Sequence, residues 1–171
     1  MDVFCEYIVK VKKNPAELTI SALGIILAVI LLGFSLFFLF TPFSSFVLLI
    51  DAGVVYGAYI LITHFNVEYE YILTNSEMDV DRIVAKMRRK RMLSMDFKTI
   101  ELCARCDDPN FRHEFEHTAS IAKTYDVRGG ENQEYFVDYA AGESGKTRIL
   151  FCPNEKMLES IKKMAPRTVH L

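Results

Sequence analysis

Two cysteines and two histidines stand close together in the chain. Cys103, Cys106, His113 and His117 are spaced C-x2-C-x6-H-x3-H. Two thiolates and two imidazoles make a tetrahedral zinc set, and on a helix the two histidines would share a face. Against that chemistry, the gap between the pairs is short beside the about twelve residues of zinc fingers. The competing reading is that these side chains are structural. A redox role for the Cys-x-x-Cys needs a strand-to-helix βαβ setting, and the surrounding pattern offers none.

The basic run Arg88-Arg89-Lys90-Arg91 is the second cluster. Near an anionic leaflet each such residue contributes on the order of 1 kcal/mol. Headgroup contact is therefore one expectation, and a solvated hairpin tip is the other. Asp51 is the third feature, the only formal charge between Leu18 and Val67. A carboxylate inside an apolar span is a candidate for a proton or ion path. It lies near one end of its span, however, where Thr41, Ser44 or Ser45 would be within reach, and neither span offers a basic partner. Gly142 to Thr147 contains Gly-Lys-Thr but lacks the earlier glycine of a P-loop and a following helix, so it reads as a hairpin turn. No hydrolase elbow or dinucleotide fingerprint is present. No enzymatic activity and no cofactor are expected.

These residues sit in a chain of uneven composition. Of 171 residues 51% are hydrophobic, and Leu18 to Ile50 contains no charge at all. Such asymmetry describes a membrane segment joined to a water-soluble one. The first span reads Leu18–Phe40, opened by Asn14 as N-cap with Pro15 and Glu17 in the first turn, and closed at Thr41-Pro42. The second reads 46–65. An apolar helix of this length, rising about 1.5 Å per residue, crosses a bilayer core of about 30 Å. The connection is short, so the helices are antiparallel neighbours. Gly24 and Ala28 on one, and Gly53 and Gly57 on the other, have the spacing for close approach, and these faces are expected to meet. Lys10, Lys12 and Lys13 precede the first span, and Arg82 to Arg91 is rich in Lys and Arg, while the connection carries no charge. Both termini are therefore expected in the cytoplasm of a multi-pass cell-membrane protein. Ahead of the spans, Phe4, Tyr7, Ile8 and Val11 recur at helical spacing. That fits either a short interfacial helix or a frayed tail within an N-terminal segment 1–17.

From residue 66 the period changes to two. Val67 to Leu73, Met78 to Asp81, Leu93 to Phe97, Ile100 to Leu102, Ile121 to Val127, Tyr135 to Tyr139 and Thr147 to Phe151 alternate as strands. The stretch Asp107 to His117 reads as a loop with one helical turn. The chain closes with Asn154 as N-cap and an apolar stripe of Met157, Leu158, Ile161 and Met164, stopped by Pro166. The expectation is a membrane α-helical hairpin, 18–65, followed by an α+β, mostly β domain, 66–171. In that domain a bent antiparallel sheet of about six to seven strands is capped by a C-terminal helix, the plan of the pleckstrin-homology (PH) superfold.

The opening Met1-Asp2-Val3-Phe4, the segment EYEYILTNSEMDVD from Glu68 to Asp81, RRKRML from Arg88 to Leu93, and TRILFCPNEKMLESIKKMAP from Thr147 to Pro166 carry a resemblance. The chain resembles a family of small membrane proteins of anaerobic Gram-positive bacteria, domain of unknown function 6106. The resemblance implies two transmembrane helices and a cytoplasmic bacterial PH-like domain, with no catalytic residues to carry over. Together these readings suggest a membrane-anchored PH-like interaction module. Its partner would be a protein, through a sheet edge or a groove beside the C-terminal helix, or the anionic inner leaflet, through Arg88 to Arg91. The alternatives are a zinc-dependent sensor built on the Cys/His set and a small transporter or channel component using Asp51. The net charge of −2 argues against nucleic acid as a partner.

Overall fold

The computed structural model describes residues 3–140 and 145–170. The turn expected at Gly142 to Gly145 therefore lies mostly outside the described residues. The chain forms two compact units: residues 1–11, 68–83 and 87–171 make one, and residues 12–67 with 84–86 make the other.

The second unit is a helical hairpin. Helix α1 spans Pro15–Ser35 and runs on as a 3-10 turn over Leu36–Phe38; helix α2 spans Ser44–His64. Both are long and apolar enough to cross a membrane. The start of α1 follows from its first turn, where the Glu17 carboxylate accepts the Asn14 N–H at 3.0 Å. Large apolar side chains lie exposed along both helices, among them Leu23, Ile26, Val29, Phe34, Leu48, Leu49 and Ile60. A helix in the core of a water-soluble protein would have these covered.

The packing seam between α1 and α2 is only half the one expected. Gly24 and Ala28 do lie on the half-buried face of α1. A Cβ at Gly24 would stand 2.3 Å from the Leu61 side chain, so α2 approaches there as closely as only glycine permits. Gly53 and Gly57 are exposed, with nothing within 4 Å of a Cβ at either. The inward face of α2 is instead Asp51, Val54, Ala58 and Leu61, a four-three spacing that turns the two glycines away. A hydrogen bond from Ser35 Oγ to Asp51 lies on this same face.

The other unit is a pair of four-stranded sheets closed by a helix. Strands β1 (Phe4–Lys10), β2 (Val67–Thr74), β3 (Glu77–Val84) and β4 (Arg88–Asp96) form the first sheet in sequence order. Strands β5 (Ile100–Arg105), β6 (Ile121–Asp126), β7 (Tyr135–Ala140) and β8 (Lys146–Phe151) form the second, in the order β5-β7-β8-β6. Among the described residues there are thus eight strands rather than six to seven, and they lie in two sheets. One neighbouring pair, β6 and β8, is parallel. A five-residue helix α3 (Arg112–Glu116) lies in the β5–β6 connection, and α4 (Glu155–Met164) follows β8.

The extra strand is β1, where the spacing of apolar residues fits either a short interfacial helix or a frayed tail. Phe4 to Lys10 pairs antiparallel with β2, from Phe4 opposite Thr74 to Lys10 opposite Glu68. Cys5 and Val9 are buried while Phe4 and Ile8 are exposed, so the strand is apolar on both sides. The segment 1–17 is consequently not a separate region. Its first part belongs to the sheet, and its last residues begin α1.

The main core lies between the sheets and under α4. Tyr71, Leu73, Met78 and Val80 from the first sheet meet Cys103, Val137, Ile149 and Phe151 from the second, with Met157 and Ile161 of α4 fully buried against them. The apolar stripe of α4 thus closes the sheets, as the spacing required. Tyr71 buries its polar end by donating from Oη to the Val127 carbonyl at 2.5 Å. A smaller cluster covers the opposite face of the second sheet, where Phe111 and Phe115 pack on Ala104, Phe136 and Leu150.

Candidate functional site

The groove beside α4 is built from residues far apart in sequence. Tyr7 of β1, Arg105 at the end of β5, Asn132 before β7, Tyr135 at its start, and Lys156 and Leu158 of α4 line a depression of about 580 Å³. Asn132 ties the walls together, donating from Nδ2 to the Tyr7 hydroxyl at 2.8 Å and to the Pro153 carbonyl at 3.2 Å. The α4 N-terminus opens here, capped by Asn154, whose Oδ1 accepts the Met157 N–H at 2.9 Å. Arg105 is held by Asp107 through Nε at 3.0 Å and Nη2 at 2.9 Å. That pairing pulls the Asp107 carboxyl below its ordinary range. The groove therefore combines tyrosine hydroxyls, carboxamides and one leucine with two cationic side chains. Such a surface suits polar recognition with a modest apolar footing.

The basic run is not a hairpin tip. The turn after β3 is Ala85-Lys86-Met87, with Ala85 and Lys86 at φ of 55° and 57°, and Arg88 already begins β4. Arg89 pairs with the buried Glu70 at 2.9 Å, and Arg91 pairs with Asp79 at 2.7 Å and Asp81 at 2.5 Å. Burial raises the Glu70 carboxyl above its ordinary value, Glu6 adds to the rise, and Arg89 opposes it. Two of the four expected headgroup contacts are thus occupied by acids of the same sheet. Arg88 and Lys90 have no ion pair among the described residues.

The four cysteine and histidine residues are not brought together. Cys103 is fully buried on β5 and its backbone bonds the C-terminal tail, donating to Thr168 and accepting from His170, both at 2.8 Å. Burial pushes its thiol up to about 12 and that of the half-buried Cys106 up to about 11. His113 and His117 do share a face of α3, their rings stacked at 5.8 Å, but that face is exposed. Among the described residues no group of three or more His, Cys, Asp or Glu side chains is placed to hold a metal ion.

Asp51 bonds across the hairpin, accepting from Ser35 Oγ at 2.8 Å, rather than from Thr41, Ser44 or Ser45. Ser35 had no distinguishing mark in the sequence beyond its position on the Gly24–Ala28 face. The bond lies at a cleft of about 190 Å³ whose other walls include Leu31, Phe34, Phe38, Val47 and Val54. In an apolar surrounding an interhelical hydrogen bond contributes about 0.6–2 kcal/mol, enough to set the rotation of α2.

The family model of the bacterial PH-like domain DUF6106 matches residues 1–171. The chain belongs to this family. The match takes in the helical hairpin as well as the two sheets, so the PH-like family includes both units. No curated protein and no solved structure matches the chain. The description of the family gives the fold.

Proposed function

We propose that this PH-like protein is a non-enzymatic, membrane-anchored interaction module whose sheet unit binds a segment of a partner protein in the groove beside α4. The observation that carries the reading is the groove itself, about 580 Å³ and walled by side chains from β1, β5, β7 and α4. A peptide segment offers the mixture of amides and side chains that such walls match.

The anchoring half rests on α1 and α2, whose exposed apolar surface has lipid as its natural solvent. Strand pairing supports a two-span hairpin independently of hydropathy. Lys10 precedes α1 and Glu68 follows α2, yet they are register partners. Two residues bonded in one sheet lie on the same side of any membrane, so the chain between them crosses an even number of times. The Lys and Arg residues flanking the spans favour the cytoplasmic side of the cell membrane. The inner leaflet is the second reading for the partner, now resting on Arg88 and Lys90 because Arg89 and Arg91 are engaged.

A photo-crosslinking residue in place of Gln133, in the full-length protein in its native membranes, tests the groove. A discrete protein adduct is expected, lost when Leu158 is changed to Glu and absent when the same residue replaces Lys98. Adducts with lipid alone would transfer the reading to the leaflet.

A further inference from the structure

The turn between β3 and β4 is held at the end of the second apolar helix. Strands β2, β3 and β4 are neighbours joined by short turns, so the chain reverses at each. The turn after β3 therefore returns to the end of the sheet where β2 leaves α2. There the Ala85 N–H donates to the Asn66 carbonyl at 2.8 Å, and the Asn66 N–H donates to Thr63 in the last turn of α2 at 3.0 Å. Residues 84–86 accordingly group with the helical hairpin rather than with the sheets. Ala85 and Lys86 both take left-handed backbone, which a tight hairpin turn ordinarily gives to Asn and Gly.

Met87 follows at once and is 79% exposed. Among the described residues no other large apolar side chain outside the two helices and their connection is so exposed. A lone exposed apolar side chain is ordinary on a water-facing surface. The place of this one is not, because the residues before it are tied to the end of a span. Lys86 and Arg88 flank it, both exposed and without an ion pair among the described residues.

The following rests on the anchoring half of the proposed function and not on the groove. We propose that Lys86-Met87-Arg88 is a foot on the inner leaflet, with Met87 entering between the headgroups and Lys86 and Arg88 taking lipid phosphates. Methionine is unbranched and flexible, so it fits an irregular lipid surface. The two cations can keep their charged ends in the phosphate layer while their stems lie along apolar surface. Arg89 and Arg91 take no part, since Glu70, Asp79 and Asp81 hold them. The occupant is the bilayer because the turn is continuous with the lipid-facing α2, whose end at His64 sets its depth.

The chain contains no tryptophan, so a single one reports its own surroundings. Full-length protein carrying Met87→Trp is reconstituted into phosphatidylcholine vesicles, with and without phosphatidylglycerol. Its fluorescence is then quenched by lipids brominated along the acyl chain. Lys98→Trp, beyond the far end of β4, controls for the liking of tryptophan for interfaces. Quenching at position 87 is expected to exceed that at 98 at least about threefold, and to rise with phosphatidylglycerol. Changing Lys86 and Arg88 to Gln should remove the rise and leave the protein in the vesicles. Equal quenching at the two positions, no response to phosphatidylglycerol, or a response that the Gln changes leave intact would each overturn the proposal. Protein that fails to float with the vesicles defeats the anchoring reading and this one together. Protein that floats with an unquenched tryptophan at position 87 defeats this one alone.

Discussion

Arg148 is 3% exposed, and its charge is fully matched. Its Nε and Nη2 bond the Asp138 carboxylate at 2.7 and 2.6 Å, and its Nη1 and Nη2 bond the Phe115 and Glu114 carbonyls at 2.6 and 2.9 Å. The guanidinium also lies 4.9 Å from the Phe136 ring centroid. One side chain therefore neutralises a buried acid and ties the end of α3 to the second sheet. Removing only Asp138 leaves the cation buried without its partner. Asp138→Ala is expected to lower unfolding stability by about 3–5 kcal/mol, measured by chemical denaturation. The thiols make a second prediction at this scale. An unfolded cysteine loses its proton near pH 8.5, whereas folded Cys103 holds it up to about 12. The folded state is thus the one that keeps the proton. Its contribution is whole below about pH 8.5 and declines as the pH climbs toward 12. Denaturation midpoints should fall between pH 8 and pH 10.5, and Cys103→Val should reduce that fall.

The elements differ in how far they could be read from the residues. The two apolar helices were legible because nearly every position of each long segment is apolar, and the residues that start α1 are local. The α4 stripe and the alternation at Leu93 to Met95 of β4 were legible because each has one buried face, whereas β7 and β8 are buried on both. Strand β1 was not legible. Phe4, Tyr7, Ile8 and Val11 match a helical stripe, while the true alternation, with Cys5 and Val9 inward, was hidden by apolar residues on the outer face. The groove was legible only as an expectation that the flank of α4 is a binding place. Tyr7, Arg105, Asn132 and Tyr135 are ordinary polar residues until folding brings them together. Gly24 and Gly53 show the same limit, because spacing identifies a close-packing face without giving the rotation of the helix. Gly24→Leu is expected to force α1 and α2 apart at Leu61, seen as a longer distance between spin labels at Ala28 and Ala58, whereas Gly53→Leu should leave it unchanged. In the sheet unit, a Cβ at Gly129 would stand 2.8 Å from the Lys10 carbonyl oxygen, a backbone atom at the end of β1. Gly129→Ala is expected to cost about 1–3 kcal/mol of stability, measured by thermal unfolding.

At the scale of the molecule, connectivity matters more than any single contact. The hairpin of α1 and α2 is an insertion between two paired strands, β1 and β2. Sheet formation requires residues on both sides of the hairpin to meet, so the spans and the sheet cannot be assembled independently. Membrane insertion of α1 without α2 would leave β1 and β2 on opposite sides and the first sheet without its first strand. The pairing of β1 with β2 keeps both ends of the hairpin on one side, and the proposed function takes that side to be the cytoplasm. Single cysteines at Ser45, in the first turn of α2, and at Glu131, in the sheet unit, test it in a Cys106→Ala background, with a membrane-impermeant maleimide applied to intact cells. The account predicts labelling at Ser45 from outside, and at Glu131 only after the cells are permeabilised. Labelling of Glu131 in intact cells, or recovery of the protein in the soluble fraction after lysis, would contradict it.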